Sequence, residues 1–164
     1  RFKDDAKEVQ GGEVCGMSWE ELDLAERVWT IPGTRTKNHR PHSVPLTPAA
    51  VAIIEAVPDT GRLLFPARGK PDQPYAGYTK GKAALDAAAG VTGWTIHDLR
   101  RTAATGMARL GVQPHVVERI LNHVSGTFGG VAGVYNRFQY LPEMREALTA
   151  WERHVLALPP DGGK

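Results

Sequence analysis

Apolar positions recur at two spacings along this chain, and the two spacings divide it. Near the front, Val28-Trp29-Thr30-Ile31 is built of β-formers and stopped by Pro32-Gly33. His42 to Leu46 reads as the returning strand, and Gly33 to Pro41 as the loop between the two. Trp19 to Asp23 reads as a short strand or turn. Behind these the spacing becomes helical. Thr47-Pro48 is a start signal, a capping hydroxyl followed by proline in the first turn, and the helix carries Ile53 and Ile54 before Pro58. Pro66 to Pro74, with three prolines and a glycine, is expected to be loop. Tyr75 to Ala89 is alanine-rich and expected to be helical, with Gly90 as its stop.

Thr95 to Leu110 carries the clearest helical pattern. Thr95 and Asp98 have the spacing of a capping box, and Ile96, Leu99, Ala103, Met107 and Leu110 share one face. Gly111 ends it. A second helix begins near Pro114 and turns Val116, Val117, Ile120 and Leu121 inward. A glycine-rich stretch runs from Gly126 to Gly133. The last helix starts near Pro142 and runs to about Leu158, with Met144, Ala147, Leu148, Trp151 and Val155 as its stripe. The pattern therefore predicts an α+β chain, mostly helical, with a small antiparallel sheet on its N-terminal side. The first dozen residues are polar and read as a truncated start rather than a complete element.

A length of 164 residues fits one domain with a usable core. No apolar run is long enough to span a bilayer. Cys15 is the single cysteine, so no internal disulfide forms, which fits a reducing compartment. The net charge is +2 and the pI about 8.8, which permits a nucleic-acid partner without requiring one. The distribution adds more. Arg35, Lys37, His39, Arg40 and His42 crowd one short stretch with no acid among them.

On the Thr95 helix, a step of about 100° per residue puts Arg100 about 40° from the centre of the apolar stripe. An always-charged guanidinium at the edge of a core needs an anionic partner, either a protein carboxylate or a substrate phosphate. His97 lies on the same side, one turn earlier. Leu121-Asn122-His123 closes the next helix, and Tyr135 follows the glycine-rich segment. Taken singly, these residues read more readily as caps, packing, a structural ion pair or solvated surface than as chemistry.

Their order is specific. His97-Asp98-Leu99-Arg100 resembles the H-x-L-R motif of tyrosine recombinases of the phage-integrase type. Leu121-Asn122-His123 resembles that family's L-G-H element, with asparagine for glycine. Val134-Tyr135-Asn136-Arg137 resembles the segment around its nucleophilic tyrosine. Thr36-Lys37-Asn38 with Val44-Pro45-Leu46 resembles its hairpin lysine and the following strand. Met17-Ser18-Trp19 and Leu22-Asp23-Leu24 resemble its first strand.

The resemblance spans about residues 8 to 158 and implies a single catalytic domain over 1–164, without the N-terminal core-binding domain of the family. It implies a cytoplasmic enzyme that cuts and rejoins double-stranded DNA through a 3′-phosphotyrosyl link, as a tetramer on DNA when full length, with no metal or other cofactor and no membrane. Tyr135 would be the nucleophile, Arg100 and His123 would hold the phosphate, Lys37 would protonate the leaving oxygen, and His97 would accept a proton or organise the site.

Two features depart from the family pattern. In T-G-x-R-x-x-E/D, Glu13 matches the acid, but Gln10 stands where the arginine belongs. The spacing from His123 to Tyr135 is longer than usual, which leaves Tyr140 as a competitor. Two other function classes remain open. One is a non-catalytic DNA-binding remnant, favoured by Gln10 and by the helix–Gly111–helix arrangement. The other is a metal-dependent nuclease using His97, Asp98 and His123, whose spacing is unconvincing.

Overall fold

The computed structural model describes residues 9–123 and 139–159. Helix α1 (Val9–Cys15) leads into a single 3₁₀ turn (Trp19–Glu21) and strand β1 (Leu22–Asp23). The polar start of the chain thus includes a helix that its composition did not announce. Strands β2 (Val28–Ile31) and β3 (His42–Pro45) follow, and the three form an antiparallel sheet in the order β1-β2-β3. Trp29 faces Val44 across the β2–β3 ladder, and Ile31 faces His42. Trp29 and Ile31 are both buried, as period-two alternation requires.

Helix α2 (Pro48–Glu55) begins where Thr47 accepts a hydrogen bond from Ala50 N at 3.4 Å. Of its two isoleucines only Ile54 is buried. The expected loop at 66–74 is in fact a hairpin, β4 (Pro66–Ala67) against β5 (Lys70–Pro74). Its prolines are tolerated because each strand of this ribbon has a free edge that needs no N–H donor.

Helix α3 (Tyr78–Ala89) stops at Gly90, whose φ of 66° is left-handed. Lys82 pairs within the helix with Asp86 at 2.6 Å and lies 4.0 Å over the Trp94 ring, which follows the helix. Among the described residues, helices α4 (Ile96–Arg109), α5 (Pro114–Ile120) and α6 (Leu141–Leu156) follow. The Thr95–Asp98 capping box is present, and it holds the Asp98 carboxyl below the usual carboxylate range.

Two cores result. One joins the sheet to α2 through Met17, Trp29, Ile31, Leu46, Ile54 and Leu64. The other packs α4, α5 and α6 through Met107, Val116, Val117, Met144 and Ala147. Helix α6 links them: the Glu152 carboxylate accepts from Ala49 N at 2.7 Å at the start of α2, and Arg145 donates to the Glu26 carbonyl at 2.9 Å.

The expected stripes are covered over only part of their length. Ile96, Leu99 and Leu110 of α4 are 44%, 54% and 43% exposed, and Val155 of α6 is 42% exposed. Helical periodicity selects a face. How much of that face is buried depends on the span of the neighbouring helices, which here cover the stretch from Ala103 to Met107.

Candidate functional site

The site is built around the C-terminal end of α5. A helix end leaves four carbonyls without intrahelical partners. Here all four are satisfied. His123 N donates to Glu118 O at 3.0 Å and Asn122 N to Arg119 O at 3.0 Å, the paired bonds of a Schellman cap. That cap requires a left-handed residue, and Asn122 supplies it at φ 51°. Asparagine is the L-residue that adopts this conformation most readily after glycine, so it fits a position where the resemblance expects glycine.

The two remaining carbonyls receive side chains from other elements. Arg100 Nη2 of α4 donates to the Leu121 carbonyl, and His42 Nε2 of β3 lies 3.3 Å from the Ile120 carbonyl. The negative end of the α5 dipole favours the guanidinium there. Sequence reasoning expected an anionic partner for Arg100, but the bond found is to a backbone carbonyl. The Glu13 carboxylate acts on it at longer range and partly offsets the burial that lowers the Arg100 pKa.

The same environment shifts the neighbours. Burial pushes the Glu13 carboxyl up, against the opposing pull of Arg100 and Arg35. Burial first, then the positive fields of Arg100 and His97, push His123 below the usual histidine range, with Glu118 opposing. Arg100, His97 and His123 therefore share one electrostatic neighbourhood. Arg100 is half-buried, while His97 and His123 are exposed.

Lys37 is exposed in the loop between β2 and β3, and among the described residues it makes no hydrogen bond or ion pair. Its loop is folded on itself. Buried Thr36 donates to Arg40 O at 2.8 Å or Gly33 O at 3.2 Å, and Asn38 Oδ1 accepts from Arg40 N at 3.1 Å. One bond ties this loop to the α5 end: Asn38 Nδ2 donates to Asn122 Oδ1 at 2.8 Å, across 84 positions of sequence.

Arg35, the other cation near Glu13, is committed elsewhere. It pairs with Glu21, which also accepts from Trp29 Nε1 at 2.9 Å, and it donates to the Glu13 and Gly12 carbonyls. It fastens α1 to the sheet. Gly16 leaves room for it, since a Cβ there would stand 2.8 Å from Arg35 Nη2.

Tyr135 lies outside the described residues, as does the Gly126–Gly133 stretch, and the side chain of Gln10 does too. Tyr140 lies at the start of α6, its ring edge-on to His115 at 5.0 Å and packed on the second core. Among the described residues no group of three His, Cys, Asp or Glu side chains could hold a metal ion, and no helix is long and apolar enough to cross a membrane.

His42, Asn38 and Asn122 were not singled out from the sequence as site residues. The available signal was Asn122 in a glycine-like cap position, but its partner is 84 residues away.

The model of the phage integrase family matches residues 11–137. The chain is 38% identical over 149 residues to prophage integrase IntA of Escherichia coli (strain K12), covering 88% of this chain and 35% of that protein. It is 31% identical to prophage integrase IntZ of the same organism over 77% of the chain and 31% of that protein. Against the integrase of Shigella phage Sf6 the identity is 25%, over 85% of the chain and 36% of the relative. The chain thus spans about a third of the length of these relatives. No solved structure matches it. With the family model matching residues 11–137 and a relative 38% identical over 88% of the chain, the chain belongs to the phage integrase family.

Proposed function

We propose that this chain is the catalytic part of a tyrosine-type site-specific recombinase acting on double-stranded DNA. The observation that carries the reading is the convergence at the end of α5. Arg100 is held there by the Leu121 carbonyl beside His123 and His97, and the Lys37 loop is bonded to the same turn. A guanidinium has five N–H donors, so the one bond described leaves others for phosphate oxygens.

In the proposed reaction the Tyr135 phenolic oxygen attacks the phosphorus of a phosphodiester. The P–O5′ bond breaks as the new P–O(Tyr) bond forms. Arg100 and His123 stabilise the charge that develops on the non-bridging oxygens. The leaving 5′ oxygen takes its proton from the Lys37 ammonium, and His97 accepts or positions the phenolic proton. The reverse sequence, with a 5′ hydroxyl of a second strand as nucleophile, rejoins DNA without an external energy source. In the full-length protein this would take place within a tetramer.

The test is a nicked duplex of the attachment site, which loses its short 5′ fragment on cleavage and traps the covalent adduct on a denaturing gel. Wild type should give a shifted band, absent in Tyr135→Phe and reduced about 100-fold or more in Arg100→Ala. Cleavage that persists in Tyr135→Phe would overturn the assignment.

One observation favours a second reading, a DNA-binding remnant of impaired activity. Gln10 stands three residues before Glu13, where the family pattern has arginine. A neutral amide cannot replace a guanidinium on phosphate. On that reading Gln10→Arg raises adduct formation about 100-fold, a gain equivalent to ~3 kcal/mol.

A further inference from the structure

We propose that Asn38 and Asn122 are positioning residues, a side-chain latch that holds the Lys37 loop against the phosphate-binding end of α5. The inference rests on the general-acid role proposed for Lys37. It adds the device that brings that lysine to its work.

Lys37 comes from the sheet layer, and Arg100 and His123 from the helical layer. The chain does not connect them closely, so the approach of the ammonium to the leaving oxygen depends on contacts between the layers. At the loop itself, among the described residues, a side-chain bond makes this contact: Asn38–Asn122 at 2.8 Å, one residue along from Lys37 and one before His123. Both ends of the Asn38 amide are used, since its oxygen caps Arg40 N at 3.1 Å, so the orientation of the amide is set. Asn122 serves twice, filling the left-handed position of the cap and presenting Oδ1 to the loop. A glycine there would keep the cap and lose the acceptor. His42 Nε2, 3.3 Å from the Ile120 carbonyl, secures the strand that leaves the loop.

The chemistry offers a readout that a purely structural role would not move. A 5′-bridging phosphorothiolate replaces the leaving oxygen with sulfur. Thiols have a pKa of about 8.5, so a thiolate departs without a proton and general-acid catalysis becomes dispensable.

The experiment uses the whole encoded protein and paired nicked attachment-site duplexes, one with oxygen and one with sulfur at the 5′ bridge. Asn122→Gly is the main variant, because glycine accommodates φ 51° without strain. Asn122→Asp, which retains an acceptor for Asn38, is the conservative control. Asn122→Gly is expected to melt as wild type does and to cleave the oxygen substrate ~10–100-fold more slowly. It should cleave the sulfur substrate at close to the wild-type rate. Asn122→Asp should recover most of the oxygen-substrate rate, and Arg100→Ala should stay defective on both substrates. An Asn122→Gly enzyme that cleaves the oxygen substrate normally, or is slowed equally on both, overturns the latch. Lys37→Ala separates this from failure of the underlying reading. If sulfur rescues Lys37→Ala but not Asn122→Gly, the latch alone falls. If sulfur does not rescue Lys37→Ala, the general-acid assignment falls and the latch with it.

Discussion

His42 illustrates how much one residue's role depends on where the fold puts it. In sequence it is one of several basic residues in the Arg35–His42 stretch. In the structure it is buried against the end of α5, close to Arg119 and Arg100. Burial, reinforced by those cations, pushes its pKa below the usual 6.5, with its bond to the Ile120 carbonyl opposing. The unfolded chain therefore takes up a proton at higher pH than the folded chain. The stability that neutral His42 contributes is complete above about pH 6.5 and is lost as the pH falls through the lower folded value. His123 shifts in the same sense, and Glu13, whose pKa is raised, in the opposite one. Differential scanning calorimetry from pH 7 to pH 5 should show a larger fall in melting temperature for wild type than for His42→Gln. Glutamine retains a donor for Ile120 and has no charge to gain, so parallel curves would refute this account.

Among the elements, the contact of α4 with α6 sets the geometry of the helical layer. Gly106 and Trp151 meet there, and a Cβ on Gly106 would stand 2.1 Å from the Trp151 ring. Gly106→Ala is therefore expected to destabilise by about 1–3 kcal/mol, lowering the melting temperature by roughly 2–4 °C per kcal/mol. Adding Trp151→Leu should restore part of the loss, and strict additivity of the two changes would show that they do not touch. Beside this contact α4 and α6 leave a groove of ≈ 450 Å³ lined by Leu110, Trp151 and Leu158 with Arg101, Arg109 and His154. The stripe read for α6 is buried in its first turns, at Met144 and Ala147, and is 42% exposed at Val155.

For the molecule as a whole, the modest net charge matters less than its placement. Lys37 and Arg40 are exposed in the same hairpin loop that delivers Asn38 to the site. If they meet DNA phosphates, binding falls steeply with salt, and log K against log[salt] loses about 0.9 in slope for each contact removed. Fluorescence anisotropy with a labelled duplex should show a slope shallower by about 1.8 in the Lys37→Ala/Arg40→Ala protein. An unchanged slope would place the DNA path elsewhere.

The sequence by itself determined what rests on local rules. Strands β2 and β3, the Thr47 and Thr95 caps and the stops at Gly90 and Gly111 follow from turn chemistry and alternation over a few residues, and they appear where those rules put them. The family, too, was legible, because its motifs are short and their order survives in one dimension. Arg100 at the edge of the core followed from helical geometry. Only the tertiary structure decided that α1 is a helix, that 66–74 is a hairpin, and how far along α4 and α6 their apolar faces are covered. It alone revealed that Arg100, His42 and Asn38 converge on the last carbonyls and cap of one seven-residue helix. Periodicity describes a helix's faces but carries no information about which distant segment fills the unsatisfied groups at its end. That pairing is settled by the packing of sheet against helices, across 78 and 84 positions of chain for His42 and Asn38.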